Sequence, residues 1–169
     1  MIKKNIRHKQ VVVIGSSDDE FNREKSYEIG KYIAKNKWIL ISGGKGGIME
    51  DVSMGAAEEG GIVIGILPDS DFNSANRFCN IVIPTGIGYA RNLTNILSGD
   101  VIIAIGGKSG TLSELAYAWQ FGKPIICCSF APGWSEKLSK TVIDDRGSSE
   151  IYIADTIEEV FKHLKDILH

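Results

Sequence analysis

The chain has 169 residues, 43% apolar and 24% charged, with a formal net charge of −2. That is the balance of an ordinary globular domain long enough to bury a full core. It argues against a strongly basic nucleic-acid surface or a membrane-binding face, and no stretch has the apolar length that a bilayer span requires.

The basic opening, Lys3-Lys4 and Arg7-His8-Lys9, reads as a solvated lead-in to the first strand. No apolar region and cleavage site of a leader follow it. Apolar, strand-like runs then occur at 11–14, 38–41, 62–67, 81–83, 101–105 and 124–128, with a late strand over 151–153. They are continuous rather than alternating, which predicts burial on both faces, as in a parallel sheet covered by helices. Helical spacing fills most of the gaps. The run 22–35 carries Ile29 and Ile33 on one face, and Met49, Val52 and Ala56 line a second helix. Leu93, Ile96 and Leu97 line a third over 91–98, and Leu112, Leu115, Ala116 and Trp119 a fourth. A short helix over 134–140 precedes the last one, where Ile157, Val160, Phe161, Leu164, Ile167 and Leu168 form one stripe that Asp155 or Thr156 can cap. The segments 68–80 and 144–149, rich in Asp, Ser, Asn and Gly, read as loops. This alternation predicts a doubly wound, Rossmann-like α/β fold: a mostly parallel sheet flanked by helices, as a single domain over residues 1–169. Cys127 and Cys128 are strand neighbours facing opposite ways and are not expected to pair; with Cys79 they read as small apolar residues in a reducing, cytoplasmic setting.

Two glycine clusters stand at strand ends, Gly43-Gly44-Lys45-Gly46-Gly47 and Gly106-Gly107-Lys108-Ser109-Gly110. A strand that opens through glycines into a helix leaves backbone N–H groups free at the positive end of that helix, which suits a phosphate. With Gly15-Ser16-Ser17 after the first strand, three loops share the carboxyl edge of the sheet, where open α/β folds bind ligands. The common nucleotide signatures fail. Gly107-Lys108-Ser109 resembles the end of a Walker A loop, but Ile102 stands where its first glycine belongs. The first turn contains no GxGxxG and is followed by Asp18-Asp19-Glu20, which repels a pyrophosphate. His8, His163 and His169 lie far from the glycine loops in sequence, and no metal site is expected.

Arg91 and Glu114 remain. Arg91 reads either as a surface arginine or as an anion ligand. Thr111-Leu112-Ser113-Glu114 is a capping-box sequence, so Glu114 reads either as a helix cap or as a carboxylate facing the bound molecule.

Arg91, followed twenty-three residues later by Glu114 within Gly107-Lys108-Ser109-Gly110-Thr111-Leu112-Ser113-Glu114, resembles the Arg and PGGxGTxxE signature of the LOG family. Gly43-Gly44-Lys45-Gly46-Gly47-Ile48-Met49 resembles its GGGxxGLM element, and Gly15-Ser16-Ser17 its first-strand turn. The form ARN…IGGxxGTLSE is closer to a sister branch, the DprA/Smf-related Rossmann proteins that include molybdenum cofactor carriers. The LOG resemblance implies hydrolysis of the N-glycosidic bond of a nucleoside 5′-monophosphate. Arg91 and Glu114 would be the catalytic pair, and Gly15, Ser16, Ser17, Gly43, Gly44, Lys45, Gly46, Gly47, Met49, Gly106, Gly107, Lys108, Ser109, Gly110 and Thr111 would hold the ligand. The carrier resemblance implies the same pocket without chemistry: no required cofactor, and molybdenum cofactor as the carried molecule. Either way the expected partner is a phosphorylated small molecule, AMP-like or a pterin phosphate, and the expected assembly a homodimer or higher homo-oligomer. The helices carrying 89–98 and 112–121 would face the partner copy; Trp119 and Phe121 fit that placement and core packing equally well. Nucleic acid and membrane are not expected partners.

Overall fold

The computed structural model describes residues 7–146 and 149–169. Lys3, Lys4 and part of the 144–149 loop lie outside the described residues. Seven strands pair in parallel as one sheet: β1 (Gln10–Gly15), β2 (Ile39–Ser42), β3 (Val63–Leu67), β4 (Ile81–Pro84), β5 (Val101–Ile105), β6 (Ile125–Cys128) and β7 (Ile151–Ala154), in the order β4-β3-β2-β1-β5-β6-β7. The α-helices among the described residues are α1 (Arg23–Lys35), α2 (Ile48–Glu58), α3 (Arg91–Leu97), α4 (Ser109–Gln120), α5 (Trp134–Leu138) and α6 (Ile157–Leu168). The expected doubly wound α/β fold is the one observed.

Strand alternation splits the core into two layers. Val11, Val13, Ile103 and Cys128 face α1, α2 and α6. Val12, Ile14, Ile102 and Cys127 face α3, α4 and α5. The adjacent cysteines therefore lie in different layers, and all three are free thiols. The central strands β1 and β5 are buried on both sides, as their unbroken apolar runs predict, but the edge strand β4 leaves Ile81 and Ile83 46% and 43% exposed. The reason is the connection from β3 to β4, which holds only a 3₁₀ turn at Phe72–Ser74, so no helix covers that flank. On the other flank α1 and α2 cross closely. A Cβ on Gly30 would lie 2.0 Å from the Val52 carbonyl oxygen, and one on Gly55 2.0 Å from that of Tyr27.

Two helical faces differ from expectation. The buried side of α3 is Asn92, Asn95 and Ile96, whereas Leu97 is exposed. The buried side of α4 is Thr111, Glu114, Leu115, Ala118 and Trp119, whereas Leu112 is exposed. Both helices are rotated because their polar residues meet each other: Asn92 Nδ2 donates to Ser113 Oγ at 3.0 Å and Asn95 Nδ2 to Glu114 Oε1 at 3.1 Å. Of the two readings of Trp119 the core one holds: it is 4% exposed and its Nε1 donates to Asp144 Oδ1 at 2.9 Å. At the N-terminal side the solvent-exposed Arg7 also reaches both Asp100 oxygens, at 2.9 and 2.6 Å. The last helix is capped as expected, Thr156 Oγ1 accepting from the Glu159 N–H.

Candidate functional site

Sequence order doubles back at β1: β2, β3 and β4 lie to one side, and β5, β6 and β7 to the other. The carboxyl ends of β1 and β5 therefore diverge into loops that cannot fill the space between them. A cavity of about 340 Å³ opens there. Gly15, Ser16 and Ser17 from the β1 loop, Gly43 and Met49 around β2 and α2, Tyr89, Arg91 and Asn92 at the start of α3, and Lys108, Ser109, Gly110, Thr111 and Glu114 of α4 line it.

The β5–α4 turn is built for close approach. Gly106 and Gly107 take φ of 64° and 99°, values that side chains disfavour, and a Cβ on Gly107 would lie 2.2 Å from Thr111 Oγ1. Neither glycine lines the cavity; they shape the turn that presents Ser109, Gly110 and Thr111. The buried Ser135 clamps it, its Oγ accepting from the Gly106 N–H at 2.7 Å and donating to the Cys128 carbonyl at 2.8 Å. The Trp134 N–H donates to the Gly107 carbonyl at 3.1 Å. Helix α4 starts at Ser109 with no side-chain cap, so its leading N–H groups carry no intrahelical partner and present partial positive charge to the cavity.

The capping-box alternative fails on the same geometry. With Ser109 first in the helix, Glu114 lies beyond the first turn, out of reach of the free amides. Its carboxyl turns sideways and accepts from Asn95 of α3. Glu114 is 7% exposed, and burial pushes it up to about 7, against the lowering pull of the Asn95 hydrogen bond and the Arg91 charge. Arg91 reaches across the carboxyl end of β2, where Nη1 donates to the Ile66 carbonyl at 3.0 Å. It passes so close to Gly43 that a Cβ there would lie 2.0 Å from Nη1. Desolvation holds this guanidinium below its ordinary value, opposed by Glu114 and Asp69. Arg91 Nε and Asn95 Oδ1 are buried without a hydrogen-bond partner. Arg91, with its unspent Nε, and the Glu114 carboxyl thus stand in the cavity wall, with Asn95 packed behind Glu114.

The two glycine clusters do not contribute equally. From the first, only Gly43 lines the cavity; Gly44, Lys45, Gly46 and Gly47 do not. Lys45 pairs with Asp69 in the β3–β4 connection, and the Asn76 N–H donates to the Gly44 carbonyl at 2.8 Å. The N–H of Ile48, which opens α2, is taken by the Ser16 carbonyl at 3.0 Å. This cluster is fastened to neighbouring loops rather than turned toward a ligand. Lys108, by contrast, lies at the cavity mouth, paired with Asp18 at 2.6 Å, and Ser16 Oγ donates to the other oxygen of Asp18 at 2.7 Å. Asn92, Asn95, Tyr89 and Ser135 were missed in the sequence; the only signal was a pair of asparagines three apart after Arg91. Among the described residues no group of three or more His, Cys, Asp or Glu is arranged to hold a metal, and no helix is long and apolar enough to cross a membrane.

A parallel sheet with its crevice at the β1/β5 divide, a glycine turn feeding an uncapped helix, and Arg91 and Glu114 in the wall define a Rossmann-like α/β class. Within it, the sequence model of the SLOG cluster4 family matches residues 8–161, and the chain belongs to that family. Among solved structures it is similar to TM1055, with 34% identity and a TM-score of 0.89 over 94% of this chain and 99% of that one. It is similar to the molybdenum cofactor binding protein of the phototrophic bacterium Rippkaea orientalis, with 33% identity and a TM-score of 0.86 over 97% and 99%. It is also similar to the molybdenum cofactor carrier protein of Chlamydomonas reinhardtii, with 30% identity and a TM-score of 0.84 over 96% and 99%. DNA processing protein A of Helicobacter pylori, at 18% identity and a TM-score of 0.68 over 94% and 80%, shares the fold alone.

Proposed function

We propose that this protein binds a phosphorylated, ring-bearing small molecule in the Glu114 cavity and carries it without chemical change, with molybdenum cofactor as the cargo to test first. The observation that carries this reading is the near full-length likeness, at 30% identity or more, to two proteins named for binding or carrying that cofactor. The cavity chemistry is in keeping with it. The free amides of Ser109, Gly110 and Thr111 would take the phosphate, with Arg91 and Lys108 supplying charge and Gly15, Ser16, Ser17, Gly43 and Met49 forming the opposite wall. Glu114 would serve a ring N–H or a hydroxyl. Gly106 and Gly107 act by shaping the turn, and Gly44, Lys45, Gly46 and Gly47 by fixing the position of Gly43.

The test is what accompanies the protein. Full-length protein purified from a host that makes the cofactor should release molybdenum and a fluorescent oxidised pterin on denaturation, and Lys108→Ala should lower both. Protein that carries neither, and takes up neither when the cofactor is supplied, refutes the carrier reading. One observation favours a second reading, hydrolysis of a nucleoside 5′-monophosphate. A buried carboxyl raised to about 7 in the wall of the proposed phosphate cavity would suit a general acid or base. Release of free base from AMP by the wild type but not by Glu114→Ala would favour it. We further propose a homodimer or higher homo-oligomer through the exposed Tyr89, Leu97, Leu112 and Phe121, to be checked by light scattering. Three free cysteines suit a reducing, cytoplasmic compartment.

A further inference from the structure

One side of the outer sheet is apolar and open. Ile64 and Ile66 of β3 pair in register with Ile81 and Ile83 of β4, so all four share a side, and Ile39 of β2 joins them by alternation. This is the side that α3 and α4 cover. Asn92 and Asn95 draw α3 toward α4, and the strands beyond it stay open: Ile39 and Ile64 are half-buried, and Ile81 and Ile83 are nearly half exposed. Leu93 and Leu97, four residues apart, run along the flank of α3 turned away from Asn92 and Asn95, and Leu97 is 47% exposed. A ridge of leucines therefore stands beside a shelf of isoleucines. The face is also without charge. Strands β2, β3 and β4 contain no charged residue, and the only one in α3, Arg91, lines the cavity. Helices α1 and α6, on the other side of the sheet, carry six and five. A surface that faces water keeps such charges, and their loss from a continuous apolar face marks the core of a protein contact.

We infer that a second copy of this chain covers the shelf. The chain itself supplies the helix that completes the layer: about a two-fold axis, α3 of each copy lies on the shelf of the other, its leucine flank turned inward. Both shelves are then filled at once, and two uncharged surfaces meet without repulsion, as a self-complementary two-fold contact requires. The inference rests on the homo-oligomer proposed above. It extends that contact from Leu97 across the sheet to β4, a surface the earlier reading does not include.

Light scattering after size exclusion of the full chain tests it, on the wild type and on variants at both parts of the patch. Ile81→Lys combined with Ile83→Lys should halve the particle mass, and Leu97→Lys should do the same from the helix side. Each should raise the dissociation constant by about a hundredfold or more, since the contact would bury a lysine charge with no partner. The positions are nearly half exposed in the single chain, and lysine on an edge strand is well tolerated, so circular dichroism and Tm should stay close to the wild type. Leu112→Lys combined with Phe121→Lys is the comparison. If that pair lowers the mass while the β4 and Leu97 variants keep it, the inference is overturned and the oligomer reading stands on α4 alone. A wild type that is monomeric at every concentration overturns both.

Discussion

Replacing Glu114 by glutamine tests the electrostatics of the site without changing its shape. Burial holds the Glu114 carboxyl in its neutral form up to about 7, against an ordinary value of 4.5. At about 1.4 kcal/mol per decade, ionising it inside the fold costs about 3 kcal/mol. The folded state therefore keeps a proton that the unfolded chain has released between the two values, and stability falls as pH rises through that window. The contribution is fully present below about 4.5, is lost as pH climbs to about 7, and stays lost above it. Glutamine cannot ionise, and the buried Asn95 Oδ1 that lacks a partner is an acceptor for its amide. Urea denaturation followed by tryptophan emission should give equal stabilities near pH 4. The variant should gain progressively, to about 3 kcal/mol at pH 8, or about 6–12 °C in Tm for a chain of this length. A difference that does not change with pH, or a variant that is less stable at pH 8, would refute the reasoning. It would mean that Arg91 holds Glu114 ionised in the fold.

Three further outcomes follow from the geometry. Gly43→Ala should displace the Arg91 guanidinium and weaken ligand uptake by about tenfold or more, whereas Gly46→Ala, whose nearest neighbour would be a carbonyl oxygen at 3.7 Å, should bind as the wild type does; uptake assays on both variants decide it. Asn95→Leu removes the donor to a buried carboxyl, so it should cost about 1–3 kcal/mol in denaturation and move the Glu114 titration to higher pH, read from the pH dependence of stability. Gly55→Ala drives a methyl against the Tyr27 carbonyl at the α1–α2 crossing and should cost about 1–3 kcal/mol of stability, with ligand affinity per folded molecule unchanged.

The sheet was legible because burial on both faces leaves an unbroken apolar signature, and each of the seven strands lies within a residue or so of its run. The strand order was less so, since alternation of strands and helices gives handedness but not which strand crosses the centre. What misled was polarity. Leu97 and Leu112 read as inward-facing because periodicity assumes that apolar residues seek the core, and the same assumption gives no reason to bury Asn92, Asn95 and Glu114. Here they satisfy one another across α3 and α4, and the helices turn accordingly. The capping-box sequence was equally plausible on spacing alone; only the start of α4 at Ser109 takes Glu114 out of reach of the amides. Lys45 looked like a twin of Lys108, and nothing local in the sequence announces Asp69, twenty-four positions away, as its partner.

Among the described residues, the connection from β3 to β4 is the one place where neighbouring strands are joined without an α-helix. It reaches the site through its ties to Lys45 and the carbonyl of Gly44, through the Pro68 carbonyl that accepts from the Gly88 N–H, and through the Asp69 charge beside Arg91. Insertions there meet little packing, and lengthening a surface loop carries a small entropic penalty. A lineage of such proteins can therefore remodel that flank of the cavity, and with it the size of molecule admitted, while the α4 amides, Arg91 and Glu114 stay where the central strands place them.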